Sequence, residues 1–219
     1  MEKITIALAG QPNVGKSSLI NAISNATLKV GNFSGVTVDK TEVEFTICDE
    51  VTCKEYEVHI IDLPGAYSLT EYTIEEKVTK SFLQSDEYDI IVNVVDSTNL
   101  QRNLLFTTQL LETGKKVIVA LNMEDEAHTD GIKIDEKQLS AILGVPCIKT
   151  SASLKTGVEA LKAAIIEVYE KEETEAKVIY SDPIEEEIET IVTFLKEKKY
   201  KSTIPYRQLA VRLLQEDAD

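Results

Sequence analysis

Little in this chain of 219 residues suits an oxidising compartment. It has three cysteines, Cys48, Cys53 and Cys147, an odd and small number that fits a reducing environment better than a disulfide framework. Cys48 and Cys53 read as two buried or half-buried thiols on a hairpin rather than half of a metal site, because no second Cys or His pair is spaced to complete one. Only two histidines are present; His59 sits in a strand-like run and His128 in a polar loop, so neither reads as an iron ligand. No stretch approaches the ~18 apolar residues that a membrane span needs. "MEKITIALAG" has no basic region ahead of its short apolar run, so no signal peptide is expected. The chain as given is therefore read as soluble, which is compatible with its being one part of a longer membrane protein. Basic residues are scarce: 23 against 38 acids, a net charge of −15. That balance disfavours general nucleic-acid binding and a purely electrostatic hold on anionic lipid. With nine glycines and five prolines, and no repeat, there is no low-complexity tract to set aside.

What is present is a strand–helix alternation. "KITIALA" (3–9) is an apolar run ending in glycine and reads as a buried strand, and Leu19, Ile20 and Ile23 mark a helix face after it. "EVEFTIC" (42–48) alternates, and "YEVHIIDLPG" (56–65) runs into a Pro-Gly turn; the two pair as an antiparallel hairpin. Strands over 89–96, 115–122 and 145–152 then alternate with helices over 100–112, 136–143 and 157–170. Asp135 caps the second of these helices and Gly144 ends it. The predicted fold is α/β, a mainly parallel six-stranded sheet with helices on both faces. Composition shifts near Glu170, with nine acids and two lysines over 170–189. Ser181-Asp182-Pro183 then opens a helix, and another begins near Pro205. The run "EEEIE" (185–189) is read as a solvated helix face rather than a cation site. The expected division is a main domain over 1–168 and a small helical domain over 169–219.

Chemistry concentrates at the strand ends. Gly10, Gln11, Pro12, Asn13, Val14, Gly15, Lys16, Ser17 and Ser18 match G-x-x-x-x-G-K-[ST] between a strand and a helix, where such a loop cradles phosphate with its N–H groups and the helix dipole. Lys16 would meet the β- and γ-phosphates and Ser17 would ligate Mg²⁺. Asp62, followed by Leu63, Pro64 and Gly65, ends another strand; its carboxylate would hold Mg²⁺ through a water, and the Gly65 N–H would reach the γ-phosphate. A plain β-turn at Pro64-Gly65 would account for those two residues equally well. "NMED" ends a third strand with Asn122, Met123, Glu124 and Asp125; a carboxylate there accepts from guanine N1 and N2, which adenine cannot supply. In "TSAS" (150–153), with Ser151, Ala152 and Ser153, the Ala152 N–H would meet guanine O6.

These residues resemble the translation-factor-like branch of the small GTP-binding proteins: "GQPNVGKS", "GVT", "DLPG", "NMED" and "SAS" look like its five nucleotide motifs. "VGNFSGVTVDK", "IIDLPGAYSL" and the N-M-x-D motif narrow the resemblance to the cytosolic part of the bacterial ferrous-iron transporters of the Feo B type. It covers essentially the whole chain. It implies GTP and GDP as ligands, and the P-loop GTPase fold followed by a helical domain that modulates nucleotide dissociation. A polytopic membrane region then follows, so the chain would lie on the cytoplasmic side of the bacterial inner membrane. It leaves room for a small cytosolic partner protein and a homo-oligomer, and implies no nucleic acid. Within a mobile segment at about 28–40 that includes Gly31, Gly35 and Val36, it makes Thr37 the second direct Mg²⁺ ligand and the sensor of the γ-phosphate. Met123 stands where many relatives carry lysine, and Ala66 where many carry the glutamine that orients water. None of Arg102, Arg207 and Arg212 lies in the mobile loops. Relatives with Asn at the Asn13 position are potassium-activated, so K⁺ held by the Asn13 oxygen is implied as the activating charge; a loop-stabilising role for Asn13 is the alternative. Lys16, Asn13, Thr37 and Gly65 are thus the expected catalytic group. The competing readings are a nucleotide-state sensor without significant turnover and a ribosome- or tRNA-associated GTPase, the latter disfavoured by the charge.

Overall fold

In the computed structural model the described residues are all but 25–28, 34–35, 50–51, 70–72, 86, 172–177, 203 and 215–219. Seven strands, β1 (Glu2–Gly10), β2 (Lys29–Asn32), β3 (Asp39–Cys48), β4 (Glu55–Asp62), β5 (Ile90–Asp96), β6 (Lys116–Asn122) and β7 (Cys147–Lys149), form one sheet in the order β2-β3-β4-β1-β5-β6-β7. Only β3 runs against its neighbours; β4, β1, β5, β6 and β7 are parallel. The expected hairpin is β3–β4, with Val43 opposite Ile60 and Thr41 opposite Asp62. Cys48 and Cys53 at its tip are exposed rather than buried.

The sheet has one strand more than expected. β2 pairs with β3 through Lys29–Asn32, and all four of its residues are exposed. An edge strand that buries no face leaves no alternation to read.

The helices are α1 (Lys16–Ile23), α2 (Ile74–Leu83), α3 (Leu100–Leu111), α4 (Glu124–Thr129), α5 (Glu136–Leu143), α6 (Val158–Glu170), α7 (Asp182–Glu197) and α8 (Tyr206–Leu214). Parallel strands covered on both faces read as continuous apolar runs, as in "IIVNVVD". One face buries Ile6, Leu8, Ile60 and Val92 with Leu19 and Ile20 of α1 and Leu161 and Ile165 of α6. The other buries Ala7, Ala9, Ile61 and Ile91 with Phe82 and Leu83 of α2, Phe106 and Leu110 of α3 and Leu143 of α5. Asp135 accepts from the N–H groups of Lys137 and Gln138, and Gly144 takes φ 69°, as expected.

α7 and α8 pair over a small core of Ile188, Ala210 and Val211. Glu185 departs from the expected solvated face. It takes both nitrogens of the Arg207 fork at 2.8 Å, while Glu186, Glu187 and Glu189 are exposed. Among the described residues, no helix is long and apolar enough to cross a membrane.

Candidate functional site

The register sets the strand ends in a row. Leu8 pairs with Asp62, Gly10 with Val94, and Asp96 with Asn122. Gly10, Asp62 and Asn122 therefore emerge along one edge of the sheet, with β1 between β4 and β5. Successive crossovers leave β1 in opposite directions here, which is where an open α/β sheet forms its ligand crevice.

The loop 10–18 is shaped by close approaches. A Cβ on Gly10 would stand 2.6 Å from the Val94 carbonyl oxygen, and one on Gly65 would stand 3.0 Å from three atoms of Pro12. Gly15 takes φ 83° as the cap of α1, and a Cβ there would stand 2.5 Å from Asn122 Nδ2. Asn13 also takes a left-handed φ, 66°, a conformation Asn tolerates better than most residues. Its side chain is exposed and, among the described residues, makes no hydrogen bond. Gln11 is buried and donates to the Arg102 carbonyl at 2.9 Å. Ser17 and Ser18 are exposed in the first turn of α1.

The charges of Lys16 and Asp62 act on each other at this loop. Burial pushes the Asp62 carboxyl up to about 6, opposed by the Lys16 charge and the Ser17 hydroxyl. Burial likewise pulls the Lys16 ammonium down, opposed by Asp62. Ser17 Oγ lies 3.5 Å from Asp62 Oδ2, while Asp62 Oδ1 is buried and has no partner among the described residues. A hydroxyl and a carboxylate with one orphaned buried oxygen fit a hard divalent cation, which takes oxygen ligands and retains waters.

Leu63 donates its N–H to Leu8 O at 2.9 Å and Ala66 to Gly10 O at 3.2 Å, so the "DLPG" turn is stapled to β1. Thr79 of α2 donates to Pro64 O at 3.1 Å. Thr37 is not brought to this group: it is exposed, and among the described residues no hydrogen bond joins it to Ser17 or Asp62. Val36 donates its N–H to Phe33 O at 3.3 Å, and Gly35 lies outside the described residues.

The second half of the site is a cluster around Asn122. Its Nδ2 donates to Val14 O at 2.9 Å, and its Oδ1 accepts the Ala152 N–H at 3.1 Å. The Ala152 donor expected at guanine O6 is thus held by Asn122. Asp125 Oδ2 accepts from Ser153 Oγ at 2.9 Å, and Ser153 Oγ lies 2.9 Å from Ser151 Oγ. Ser151 first, then Ser153, hold the Asp125 carboxyl below the usual range against the pull of partial burial. Met123 takes a left-handed φ, 60°, at the start of α4, and its Cε lies 3.7 Å from the position of a Cβ on Gly15. Asn122, Met123, Asp125 and Ala152 thereby surround the side of the loop away from Asp62.

Two contacts are not legible in the sequence. Asn122 is a brace for the phosphate loop as well as part of the base cluster; a lone Asn carries no sign of that. Arg102 lies outside the loops in sequence, yet its guanidinium carbon lies 4.8 Å from the centre of the Tyr67 ring, two residues after Gly65.

The family model described as ferrous iron transport protein B matches residues 4–165, and that of the FeoB cytosolic helical domain matches 180–219. The Fe(2+) transporter FeoB of Helicobacter pylori (strain ATCC 700392 / 26695) is 50% identical over 218 residues, 98% of this chain and 31% of that protein. The Fe(2+) transporter FeoB of Campylobacter jejuni is 45% identical over 203 residues, covering 92% of this chain and 32% of its own length. The chain thus spans about a third of these relatives. Among solved structures, the cytosolic domain of the T. maritima FeoB iron transporter in GDP form II superposes with a TM-score of 0.87 and 37% identity, covering 100% of this chain and 84% of that one. A sheet with these strand ends, two family models in tandem and half-identical relatives together place this chain in the ferrous iron transport protein B family, as its G domain with cytosolic helical domain.

Proposed function

We propose that this chain binds GTP·Mg²⁺ and hydrolyses it slowly, as the cytosolic part of a ferrous-iron transporter whose Fe²⁺ uptake it gates. The observation that carries the reading is the Ser17–Asp62 pair, coupled by charge to Lys16, with a buried Asp62 oxygen that has no partner among the described residues. Gly10–Ser18 would wrap the phosphates with backbone N–H groups, and Lys16 would neutralise the β- and γ-oxygens. Ser17 directly and Asp62 through a water would hold Mg²⁺, which supplies charge neutralisation at the phosphates. Leu63, Pro64 and Gly65 would present the Gly65 N–H to the γ-phosphate, and Val36-Thr37 would move in to close over it. Asp125 would accept from guanine N1 and N2, with Asn122, Met123, Ser151, Ala152 and Ser153 shaping the base site.

Ala66 brings no polar side-chain atom to the attacking water, and its N–H is held by Gly10 O. The free Asn13 oxygen suits a potassium ion that would supply the missing positive charge. Residues 169–219 would form the regulatory helical domain, modulating nucleotide release from 1–168. The membrane region, a small cytosolic partner and self-association belong to the same proposal. A phosphate-release assay with Mg²⁺ in KCl and in NaCl tests it. Faster release in KCl, lost in Asn13→Ala, is the expected result, and equal rates in both salts remove potassium from the mechanism. The second reading, a nucleotide-state sensor, is favoured by Ala66 and would appear as GTP binding without turnover in either salt.

A further inference from the structure

The segment 64–69 has no side chain suited to chemistry at position 66, so its backbone donors must be placed by something else. Contacts at both of its ends hold it in place. Thr79 Oγ1 donates to Pro64 O at 3.1 Å, and the Ala66 N–H donates to Gly10 O at 3.2 Å. The Leu69 N–H donates to Gln109 Oε1 at 2.9 Å, and Arg102 lies over the Tyr67 ring at 4.8 Å. Arg102 and Gln109 are seven residues apart on α3, two turns along one face, so a single helix face grips the segment at two points. Arg102 also reaches the phosphate loop, because its carbonyl accepts from the buried Gln11.

Arg102 is unusual in its partner. The chain has 38 acids, yet among the described residues no carboxylate pairs with this guanidinium. Its guanidinium lies instead over the face of a tyrosine that is 46% exposed. Guanidinium over an aromatic face gives directional restraint that does not depend on a counter-ion. We infer that Arg102 is a positioning residue for the nucleotide reaction: by holding Tyr67 against α3 it keeps the Gly65 and Ala66 backbone docked on the phosphate loop. This rests on the GTP-hydrolysis reading above and names a residue that reading does not use.

Two measurements test it, on wild type, Arg102→Ala, Tyr67→Ala, Tyr67→Phe and the double alanine variant. The first is amide hydrogen exchange without nucleotide. Exchange at Ala66 and Leu69 should rise about three- to tenfold in Arg102→Ala and in Tyr67→Ala, stay near wild type in Tyr67→Phe, and leave Asn93 and Val119 on β5 and β6 unchanged. Unchanged exchange at Ala66 and Leu69 overturns the inference whether or not the protein turns over. The second is steady-state kinetics with Mg²⁺·GTP and potassium. Arg102→Ala should lower kcat by about three- to tenfold with KM within about twofold, and the double variant should be no worse than either single one. A changed KM at constant kcat, or additive effects of the two substitutions, overturns it. Absence of turnover in the wild type would instead overturn the hydrolysis reading, and the exchange result would still decide the role of Arg102 in docking the segment.

Discussion

The side-chain amide of Asn122 donates to the Val14 carbonyl at 2.9 Å, tying the end of β6 to the middle of the phosphate loop across 108 residues of sequence. The same side chain accepts from Ala152, so one buried amide holds the loop and the base cluster in a fixed relation. Asn122→Asp keeps the shape and the acceptor but removes the donor to Val14. Leaving a buried acceptor without its partner costs about 1–3 kcal/mol, so GDP affinity should fall by about ten- to a hundredfold. Titration with a fluorescent GDP analogue at fixed Mg²⁺ reads this directly. Affinity equal to wild type would mean that the loop holds its shape without the brace.

Asp62 ties metal binding to stability with a defined sign. Its carboxyl is raised from 3.8 to about 6, with burial as the main cause, so the folded protein without metal favours the protonated form. That contribution is fully present below about pH 3.8 and is lost as pH rises through about 6. Asp62→Asn removes the titration. Its Tm relative to wild type should be close at the acid end and rise by several degrees above about pH 6, at ~2–4 °C per kcal/mol for a chain of this size. The variant should also lose the stabilisation that Mg²⁺ adds to bound nucleotide. Thermal melts of both proteins from pH 4 to 8, with and without Mg²⁺, supply the comparison, and a constant difference across that range would remove Asp62 as the titrating group.

The three thiols separate by burial. Cys48 and Cys53 are exposed at the β3–β4 hairpin, whereas Cys147 is 4% exposed and burial pushes its thiol up to about 11. Only the thiolate reacts readily with disulfide reagents. The native protein should therefore react promptly with two equivalents of Ellman's reagent at about pH 8, and with the third only at the rate of unfolding. Prompt reaction of three thiols would show β7 opening far more readily than the rest of the sheet.

The elements legible in sequence were those whose pattern is local. β1, β5 and β6 are buried on both faces and read as apolar runs, and the phosphate loop and "DLPG" carry their chemistry in adjacent residues. β2 and α4 were not legible: the first buries no residue, and the second buries only Ala127. α2 does carry a local signal. Thr73 accepts from the Glu76 N–H and Glu76 accepts from the Thr73 N–H, a capping box written as T-x-x-E. Asn122 is named by its motif, but its bond to Val14, like the Arg102 contact with Tyr67, could not have been found from spacing, because each reaches a segment that only the sheet topology brings near. Glu185 looked like its acidic neighbours for the same reason, its partner lying 22 residues further along.

That partner sets the last prediction. Arg207 donates to both oxygens of Glu185 at 2.8 Å and to Val178 O at 2.6 Å, beside a small core of Ile188, Ala210 and Val211 flanked by the partly buried Tyr180, Ile191 and Val192. A core of this size stabilises modestly, and the paired, charge-assisted fork links α7 to α8 directly. Arg207→Lys keeps the charge but loses the paired geometry. Amide exchange over α7 and α8 should accelerate about ten- to a hundredfold, while β1, β5 and β6 stay protected as before. Glu185→Gln should act in the same direction and Glu186→Gln, whose side chain is exposed, should not. Acceleration that extends into the central strands would mean that the two helices and the sheet unfold as one unit, and the fork would then stabilise the whole chain rather than its helical end.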